Sequence, residues 1–570
     1  MRARIRALLA LWAVAGLVIP APASAQAPQQ PSGTAPAAQA TFPPPSGGVL
    51  PLSLDEAVAR ALENNVDIQV ERYNPELAAQ DVRAAQGYYD PFLFSTLTKS
   101  STDTKGTNAF SGGETVNTKN GIWNFGVQQQ LPTGGEFNVA FNNNKNDTTN
   151  AFSTFNPVYN SRLSFNLTQP LLQNFKTDNA RTLIKIAKKN REISDVQFRQ
   201  SVINAVATVK GFYYELLYAI DNLAAAQKNL QLAKKLLQEN EIRVKVGTMA
   251  PLDVVTAQSE VASREEGVIV AENDLAQAED DVKRLIFPAN DPLMWSTQIQ
   301  PTDHATVDPG AESQVDINSA ITNALQNRTD VVSARKNLEN QDYRLQLAKS
   351  QLLPQLDLLA NYGGAGAGGT QLIRDPPLGG PVIETIPGGY GDAVSEVFGF
   401  DFPTWTIGFN VSYAIPNRTA KANKASAQLN KDQALTAFRR LELQVAAEVR
   451  TAGRGVESGL KRVQSTQAAR VLAAQRLDAE EKKFAAGMTT NFLVTQAQRD
   501  LAQEEVNNLR AIADYRKSVI NFQRVQEAGV SGTGALTVLS TGGTGGNNQA
   551  GQALRSAAAA GGNGGNGNFQ

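Results

Sequence analysis

Few residues of this chain are of the types that carry out chemistry, and their spacing does not assemble a site. Cysteine is absent and histidine occurs once, at His304, in a segment rich in Pro and Asp. A thiolate nucleophile, a disulfide and a Cys-based zinc site are therefore excluded, and a lone histidine is typical of a solvated loop. Adjacent acidic pairs such as Glu265-Glu266 point ~100° apart on a helix, so they predict solvated faces and not a catalytic dyad. The sequence predicts no enzyme, no cofactor and no metal.

A glycine-rich segment, residues 364–369, matches the pattern that holds the pyrophosphate of a dinucleotide. That pattern requires a helix to begin directly afterwards, so that its N-terminal N–H groups face the phosphates. Residues 370–377 follow instead, ending in Pro376 and Pro377, and cannot begin such a helix. Dinucleotide binding is therefore not expected. With 53 basic against 54 acidic residues, there is also no electrostatic case for binding nucleic acid.

The N-terminal segment has the three parts of a secretory signal peptide. Arg2, Arg4 and Arg6 precede an apolar run over residues 7–19, and a small-residue segment follows at 23–25. No later stretch approaches the roughly 20 apolar residues of a membrane-spanning helix, so residence in a membrane would require β-strands. The predicted organisation is a signal peptide (1–25), a Pro-rich disordered linker (26–50), a first repeat (51–300), an inter-repeat linker (301–314), a second repeat (315–528) and a disordered Gly/Ala/Asn-rich tail (529–570).

The strongest helical signals are two long hairpins, each centred on a glycine. Residues 176–246 and 251–287 lack interior proline and flank a turn in which Gly247 suits a left-handed helix exit and Pro251 a first helical turn. A shift of 240 positions superposes Gly247 on Gly487 and Gln258 on Gln498. The outgoing arm would be ~105 Å long, so it must pack sideways against other helices. The duplication predicts two copies of one antiparallel helical hairpin.

A leading helix precedes each hairpin. Residues 53–87 begin at Ser53, whose side chain suits an N-cap, and residues 316–353 repeat their pattern 263 positions later. One leading helix and one return arm, each roughly 50–57 Å long, together equal one outgoing arm. This agreement predicts a slab of helices ~100 Å tall.

Between leading helix and hairpin, each half of the chain alternates between apolar and neutral polar residues. Strands of roughly 9–11 residues with one aromatic face suit a tilted lipid-spanning strand, although a soluble sandwich could show the same alternation. The residues predicted to face lipid are Trp123, Phe125, Phe137, Phe165, Trp405 and Phe409. Asn124, Asn166 and Asn410 are predicted to face a lumen.

The number of strands stays open at this point. Four alternating segments precede the first hairpin and two precede the second, at residues 354–362 and 403–414. Residues 101–120, 142–161 and 363–401 are rich in Asn, Gly, Thr and Pro and predict long outward loops. Either all six segments are strands, or two of them are loop with accidental alternation.

Basic residues follow the last predicted strand of each half. Their long stems could snorkel to the headgroups of the inner leaflet and form a collar, and a merely solvated helical face is the alternative. The residues are Arg181, Lys185, Lys188, Lys189 and Arg191 in the first half, and Arg418, Lys421 and Lys424 in the second.

Two copies of helix, strands and long hairpin behind a signal peptide resemble the outer membrane efflux protein family, the TolC-like exit ducts. Residues 53–58, the strand-to-helix segment 165–172 and the turn-and-return segment 247–258 carry the resemblance. It implies an α+β membrane protein, namely a homotrimeric outer-membrane β-barrel continued by a long periplasmic α-helical barrel. The implied partners are a periplasmic adaptor (membrane fusion) protein, an inner-membrane pump and outer-membrane lipid.

The expected function is therefore a passive exit duct of a tripartite efflux or type I secretion system. A periplasmic coiled-coil adaptor or spacer without a pore is the alternative. The resemblance also implies that the hairpin ends dock the adaptor and that polar side chains there narrow the periplasmic mouth. The residues concerned are Gly247, Pro251, Asp253, Gly487, Thr489, Thr490 and Asn491. Because Leu493 and Gln496 stand where relatives carry acids, we expect few charge-assisted links and a weakly held gate.

Overall fold

The computed structural model describes residues 48–107, 113–303, 315–377 and 380–527. The predicted signal peptide, most of the predicted linker 26–50, His304 and the predicted tail 529–570 lie outside these ranges. Among the described residues, no helix combines the length and the mean hydropathy that crossing a membrane requires.

Two long helical hairpins form the larger part of the molecule, as the sequence predicts. Helix α3 (Asn179–Lys245, 67 residues) is followed by α4 (Pro251–Ile286, 36 residues), and α8 (Arg418–Ala485, 68 residues) by α9 (Asn491–Gln526, 36 residues). At ~1.5 Å per residue the outgoing helices are ~100 Å long and the return helices ~54 Å. Each return helix packs on its outgoing partner, and α9 also packs on α3, so the two hairpins lie side by side.

The leading segments correct one prediction, because each consists of two helices and not one. The pairs are α1 (Leu54–Asn64) with α2 (Val66–Gln86), and α5 (Ile317–Asn327) with α6 (Thr329–Ser350). Asn65 is extended (φ −64°, ψ 118°), and its side chain accepts from the N–H groups of Asp67 and Ile68 at 2.9 and 3.2 Å. An asparagine that caps the next helix competes with continuation of the previous one.

Seven strands form one sheet at one end of the hairpins. They are β2 (Phe92–Lys105), β3 (Thr115–Gln130), β4 (Glu136–Thr148), β5 (Phe155–Pro170), β7 (Gln355–Arg374), β8 (Val382–Ile386) and β9 (Phe402–Ser412). The antiparallel order is β2-β3-β4-β5-β7, and both β9 and the short β8 pair with the far side of β7. A small parallel pair, β1 (Val49–Leu52) with β6 (Gln298–Pro301), lies apart from this sheet.

The sheet corrects the predicted loops. All six alternating segments are paired strands, so accidental alternation is wrong, and much of residues 101–120, 142–161 and 363–401 is strand. Asn and Thr favour loops locally, but here they bond across strands, as when the Asn160 side-chain amide donates to Asn144 Oδ1 at 3.0 Å. A further helix, α7 (Tyr390–Gly399), packs on β7.

The apolar core lies in the helical layer, in three clusters. One surrounds Tyr213 and Leu216, where α1, α3 and α4 meet β1 and β6, and a second surrounds Val445, Val449 and Tyr515, where α5, α8 and α9 meet. The third lies near the hairpin ends. Burying a large aliphatic side chain contributes about 1.5–3 kcal/mol. The first two clusters therefore hold each hairpin to its own leading helices, and the third joins the two hairpins.

Candidate functional site

The two hairpin turns have the same backbone geometry. Gly247 and Gly487 adopt φ of 81° and 75°. The residue after each glycine donates its N–H back to the outgoing helix, from Thr248 to the Arg243 carbonyl at 2.9 Å and from Met488 to the Lys483 carbonyl at 2.8 Å. This six-to-one bond closes a Schellman motif, whose left-handed position favours glycine. A Cβ at either glycine would meet no atom within 4 Å, so backbone conformation alone requires glycine there.

The return helices begin as the sequence predicts. Pro251 occupies the first turn of α4, and Asp253 provides a carboxylate in that turn, where the helix dipole favours it. Thr490 is the N-cap of α9 but makes no side-chain capping bond. The Thr489 hydroxyl donates to Glu480 Oε2 at 2.9 Å and therefore points back along α8.

Asn491, one of the residues of the predicted seal, lies between the two hairpins. Its side chain is buried, and Oδ1 accepts from the amide of the equally buried Asn240 at 2.9 Å. Beside this pair, the Arg243 guanidinium lies over the Phe484 ring at 4.2 Å from its centre. Asn491 therefore joins the two hairpins of one chain.

Charged links between the hairpins are more numerous than the sequence suggests. Glu260 is 5% exposed and accepts from Arg499 Nε at 2.8 Å and from Arg264 Nε at 2.8 Å. Burial alone would raise the pKa of Glu260, but the bonds and charges of these two guanidinium groups outweigh it and lower that pKa. Lys228 pairs with Glu505 at 3.0 Å. These links lie within one chain, and the expectation of few charge-assisted links at the periplasmic mouth stays a prediction.

A third charged link between the hairpins lies nearer the sheet. Glu215 of α3 accepts from Arg510 at 2.6 Å and from Lys517, both on α9. These links escape sequence analysis because their partners are hundreds of positions apart, and only Glu260 with Arg264 shows the four-residue spacing of a helical pair.

The hairpin ends also expose apolar side chains. Val246, Leu252 and Val255 of the first hairpin are 66%, 74% and 58% exposed, and Met488 and Phe492 of the second are 78% and 67% exposed. Exposed aliphatic and aromatic side chains concentrated in one place are typical of a surface that contacts another protein.

The sheet register separates two faces. In antiparallel pairs, directly opposite residues share a face. Phe165 lies opposite Tyr362, which lies opposite Trp405, and Phe125 lies opposite Phe141. The same register places all six aromatic residues predicted to face lipid on one face, which we call the aromatic face. Those residues are Trp123, Phe125, Phe137, Phe165, Trp405 and Phe409.

The opposite face, which we call the amide face, carries Asn124, Asn166 and Asn410, as the alternation predicts. Asn166 donates to Asn138 and accepts from Asn361, so amides bond in a row across three strands. A concave region of about 650 Å³ on this face is lined largely by amides, with Arg162 among them. The charged residues of the amide face in the paired strands are Glu136, Arg162, Asp357 and Glu384.

The predicted basic collar is only partly free to contact lipid. Arg181 donates to Asp178 Oδ2 at 2.8 Å and to the Asn174 carbonyl at 2.6 Å, and Lys189 bridges Glu192 and Glu339 at 3.0 Å each. For these two residues the structure contradicts a free collar, because their acids lie on the same or the neighbouring helix. Lys185 lies over the Tyr343 ring at 5.5 Å. The exposed members are Lys185, Lys188, Arg191, Arg418, Lys421 and Lys424.

Metal binding finds no support in the part of the chain that the structure describes. It contains no group of three or more His, Cys, Asp or Glu side chains that could hold a metal ion. The glycine-rich segment 364–369 lies within β7 and therefore does not form a phosphate-binding turn before a helix.

Comparison with known proteins agrees with this architecture. The chain is 23% identical over 342 residues to the outer membrane protein TolC of Vibrio cholerae, which covers 59% of this chain and 71% of the relative. The Campylobacter jejuni CmeC outer membrane channel aligns over 83% of this chain and 85% of its own, with a TM-score of 0.57 and 17% identity. The Neisseria gonorrhoeae MtrE outer membrane channel, solved in its open state, aligns over 86% and 91%, with a TM-score of 0.55 and 15% identity. These solved channels share the fold.

The match to a family model covers both halves of the chain. It extends over residues 57–286 and 320–525, which include the four long hairpin helices, nearly the whole sheet and most of both leading segments. The match leaves out the two termini and the connection between the halves, where the sequence predicts linkers. With both hairpins and the sheet inside the matched ranges, the chain belongs to the outer membrane efflux protein family.

Proposed function

We propose that this protein is the passive exit duct of a tripartite efflux or type I secretion system, built as a homotrimer. The observation that carries the proposal is the division of the sheet into an aromatic and an amide face at one end of ~100 Å helical hairpins. The aromatic face suits lipid and the amide face suits a wide aqueous passage. The hairpins would continue that passage through the periplasm.

Closure into a ring follows from the edges of the sheet. In the described part of the chain, β2 and β9 each pair on one side only. Unpaired backbone groups cannot remain in lipid, so β9 of one copy would pair with β2 of the next to form a barrel. The number three comes from the family and not from this geometry. Two internal repeats, each with leading helices, strands and a hairpin, would give the ring six hairpins.

The exposed residues at the hairpin ends indicate the partners. The exposed apolar residues Leu252, Met488 and Phe492 provide a surface for a periplasmic adaptor protein, and an inner-membrane pump would supply the energy. Opening of the periplasmic mouth would separate the hairpins and break the contacts of Asn240 with Asn491 and of Glu260 with Arg499. The exposed residues of the basic collar would lie at the inner-leaflet headgroups.

The test is membrane fractionation followed by recording in planar bilayers. A duct extracts with outer membranes, runs as a detergent-resistant oligomer and conducts ions. Because the chain has no cysteine, a cysteine scan along β2 and β9 should give disulfides between copies with the period of two that strands impose. A periplasmic adaptor or spacer would instead be released without detergent, would not conduct, and would show no such pattern.

A further inference from the structure

Three lysines stand at the outer end of the aromatic face, on the side of the aromatic residues remote from the hairpins. They are Lys99 of β2, Lys119 of β3 and Lys145 of β4, and we call them the lysine triangle. Lys99 and Lys145 both lie opposite Gly121, and Lys119 precedes Gly121 by two residues on the same strand. By the pairing rule, all three side chains share the aromatic face.

The triangle encloses a space with no side chain at its centre. Neighbouring strands are ~4.8 Å apart, so Lys99 and Lys145 are ~10 Å apart across Gly121, with Lys119 ~7 Å further along the strand. A Cβ at Gly121 would contact only the Trp123 ring, at 4.0 Å. The Trp123 ring is therefore the nearest side chain to the glycine floor, and the three lysines border Gly121 by register.

The ammonium groups of the triangle are not held in close ion pairs by the described residues. In the described part of the chain, none of the three lies within 4.0 Å of a carboxylate oxygen. The nearest acid by register is Asp147, opposite Lys119, while Asp103 accepts from the Asn117 amide. Lys145 lies over the Tyr159 ring at 5.6 Å. The charges of this surface are therefore available to an external anion.

An aromatic layer lies directly below the triangle. Trp123 Nε1–H donates to the Tyr390 hydroxyl at 3.4 Å, and that hydroxyl donates to Asn143 Oδ1 at 3.0 Å. Tyr159 packs beside Tyr390, with ring centres 6.1 Å apart. Below this layer, the same face carries Phe125, Phe165 and Trp405.

Helix α7 fixes this layer in place. Ala393 and Val397 are fully buried against the sheet, over Gly364, Gly366 and Gly368 of β7. From the hairpin side to the outer end of the sheet, the aromatic face thus carries apolar residues, then Trp and Tyr with polar tips, and then lysines. This is the order of hydrocarbon, interface and headgroup in a bilayer.

We propose that the lysine triangle binds the phosphate of an anionic lipid headgroup, in the leaflet at the outer end of the sheet. The proposal rests on the proposed function, because it requires the aromatic face to contact lipid. Three lysines around a glycine floor leave room for one phosphate, whose negative charge they would attract. The aromatic layer below would hold the upper acyl chains.

The test uses Trp123 as a local reporter in the full-length protein. The variant W12F/W295F/W405F keeps Trp123 alone of the four tryptophans. It is reconstituted into phosphatidylcholine vesicles that contain either a brominated phosphatidic acid or a brominated phosphatidylcholine, with bromine on the upper acyl chain. We expect the phosphatidic acid to quench Trp123 more strongly, with an enrichment on the order of fivefold for each lysine that contacts the phosphate.

One loss-of-charge variant and three controls locate the effect. K99Q/K119Q/K145Q should abolish the preference, K99R/K119R/K145R should retain it, and K235Q/K245Q/K461Q, which removes equal charge from the exposed hairpins, should leave it unchanged. The matching variant W12F/W123F/W295F keeps Trp405, which lies on the same face away from the triangle and should show no preference. Circular dichroism and heat-modifiable migration establish that every variant is folded.

The outcomes separate this proposal from the proposed function. Equal quenching of Trp123 by both lipids, or a preference that survives the three Gln substitutions, would overturn the lysine site. Quenching of neither Trp123 nor Trp405 by either lipid would instead overturn lipid contact of the aromatic face, and with it the duct.

Discussion

At the residue scale, the turn glycines are required by backbone conformation. Replacing Gly247 or Gly487 by Ala places a side chain at positive φ, which costs about 1–2 kcal/mol. We expect amide exchange of Thr248 or Met488, whose N–H groups close the turn, to accelerate by about five- to thirtyfold. Gly267→Ala, inside α4 with no atom within 4 Å of its Cβ, is the matched control and should stabilise its helix slightly. Equal acceleration in all three variants would exclude a conformational requirement at the turns.

Glu260 gives the contact between hairpins a pH dependence. Its pKa is lowered in the folded protein, so its stabilising contribution is present above the unfolded value of about 4.3 and is lost as pH falls through the lowered folded value. Glu260→Gln should weaken the contact at neutral pH by about 1–3 kcal/mol, less than for a fully buried pair because Arg499 is more exposed. Distances between spin labels on α4 and α9 should broaden in the variant at neutral pH, and in the unmodified protein only in acid. If the variant and the unmodified protein gave the same distance distribution at neutral pH, this role of Glu260 would be contradicted.

At the element scale, the packing of α7 on β7 depends on glycines, which have no side chain. A Cβ on Gly366 would lie 2.1 Å from the Ala393 carbonyl oxygen, whereas Gly408 of β9 has open space. Gly366→Ala should therefore displace α7, break the bond from Trp123 to Tyr390 and expose the segment 380–401 to protease, and Gly408→Ala should do neither. Trp123 emission and limited proteolysis measure the two effects. If α7 were undisturbed in Gly366→Ala, the backbone of β7 and α7 would accommodate the new methyl group without loss of stability, which would contradict this prediction.

At the scale of the whole molecule, the two faces of the sheet should respond differently to charge. Arg at Phe165 would face lipid and cost about 2–4 kcal/mol near the bilayer centre, whereas Arg at the adjacent Asn166 would face water. Phe165→Arg should reduce the fraction of detergent-resistant oligomer, and Asn166→Arg should alter conductance without loss of assembly. Equal impairment of assembly at both positions would contradict the assignment of the faces.

The sequence by itself determined the elements that depend only on residues close together in the chain. The hairpin turns follow from Gly247 and Gly487, the return helix from Pro251, and the two faces of the sheet from the alternation around Phe125 and Asn124. Periodicity and turn chemistry act over a few residues, so they can be seen without a fold. The family resemblance rests on the same local patterns, repeated along the chain.

Only the tertiary structure decided which distant residues meet. It extended the strands into segments that composition assigns to loops, because Asn, Thr and Gly there bond or pack across strands. It buried Asn491 against Asn240 and Glu260 against Arg499, contacts between positions more than two hundred residues apart. It seated α7 on the glycines of β7 and brought Lys99, Lys119 and Lys145 around Gly121. Such contacts depend on strand register and helix packing, which a linear pattern does not encode.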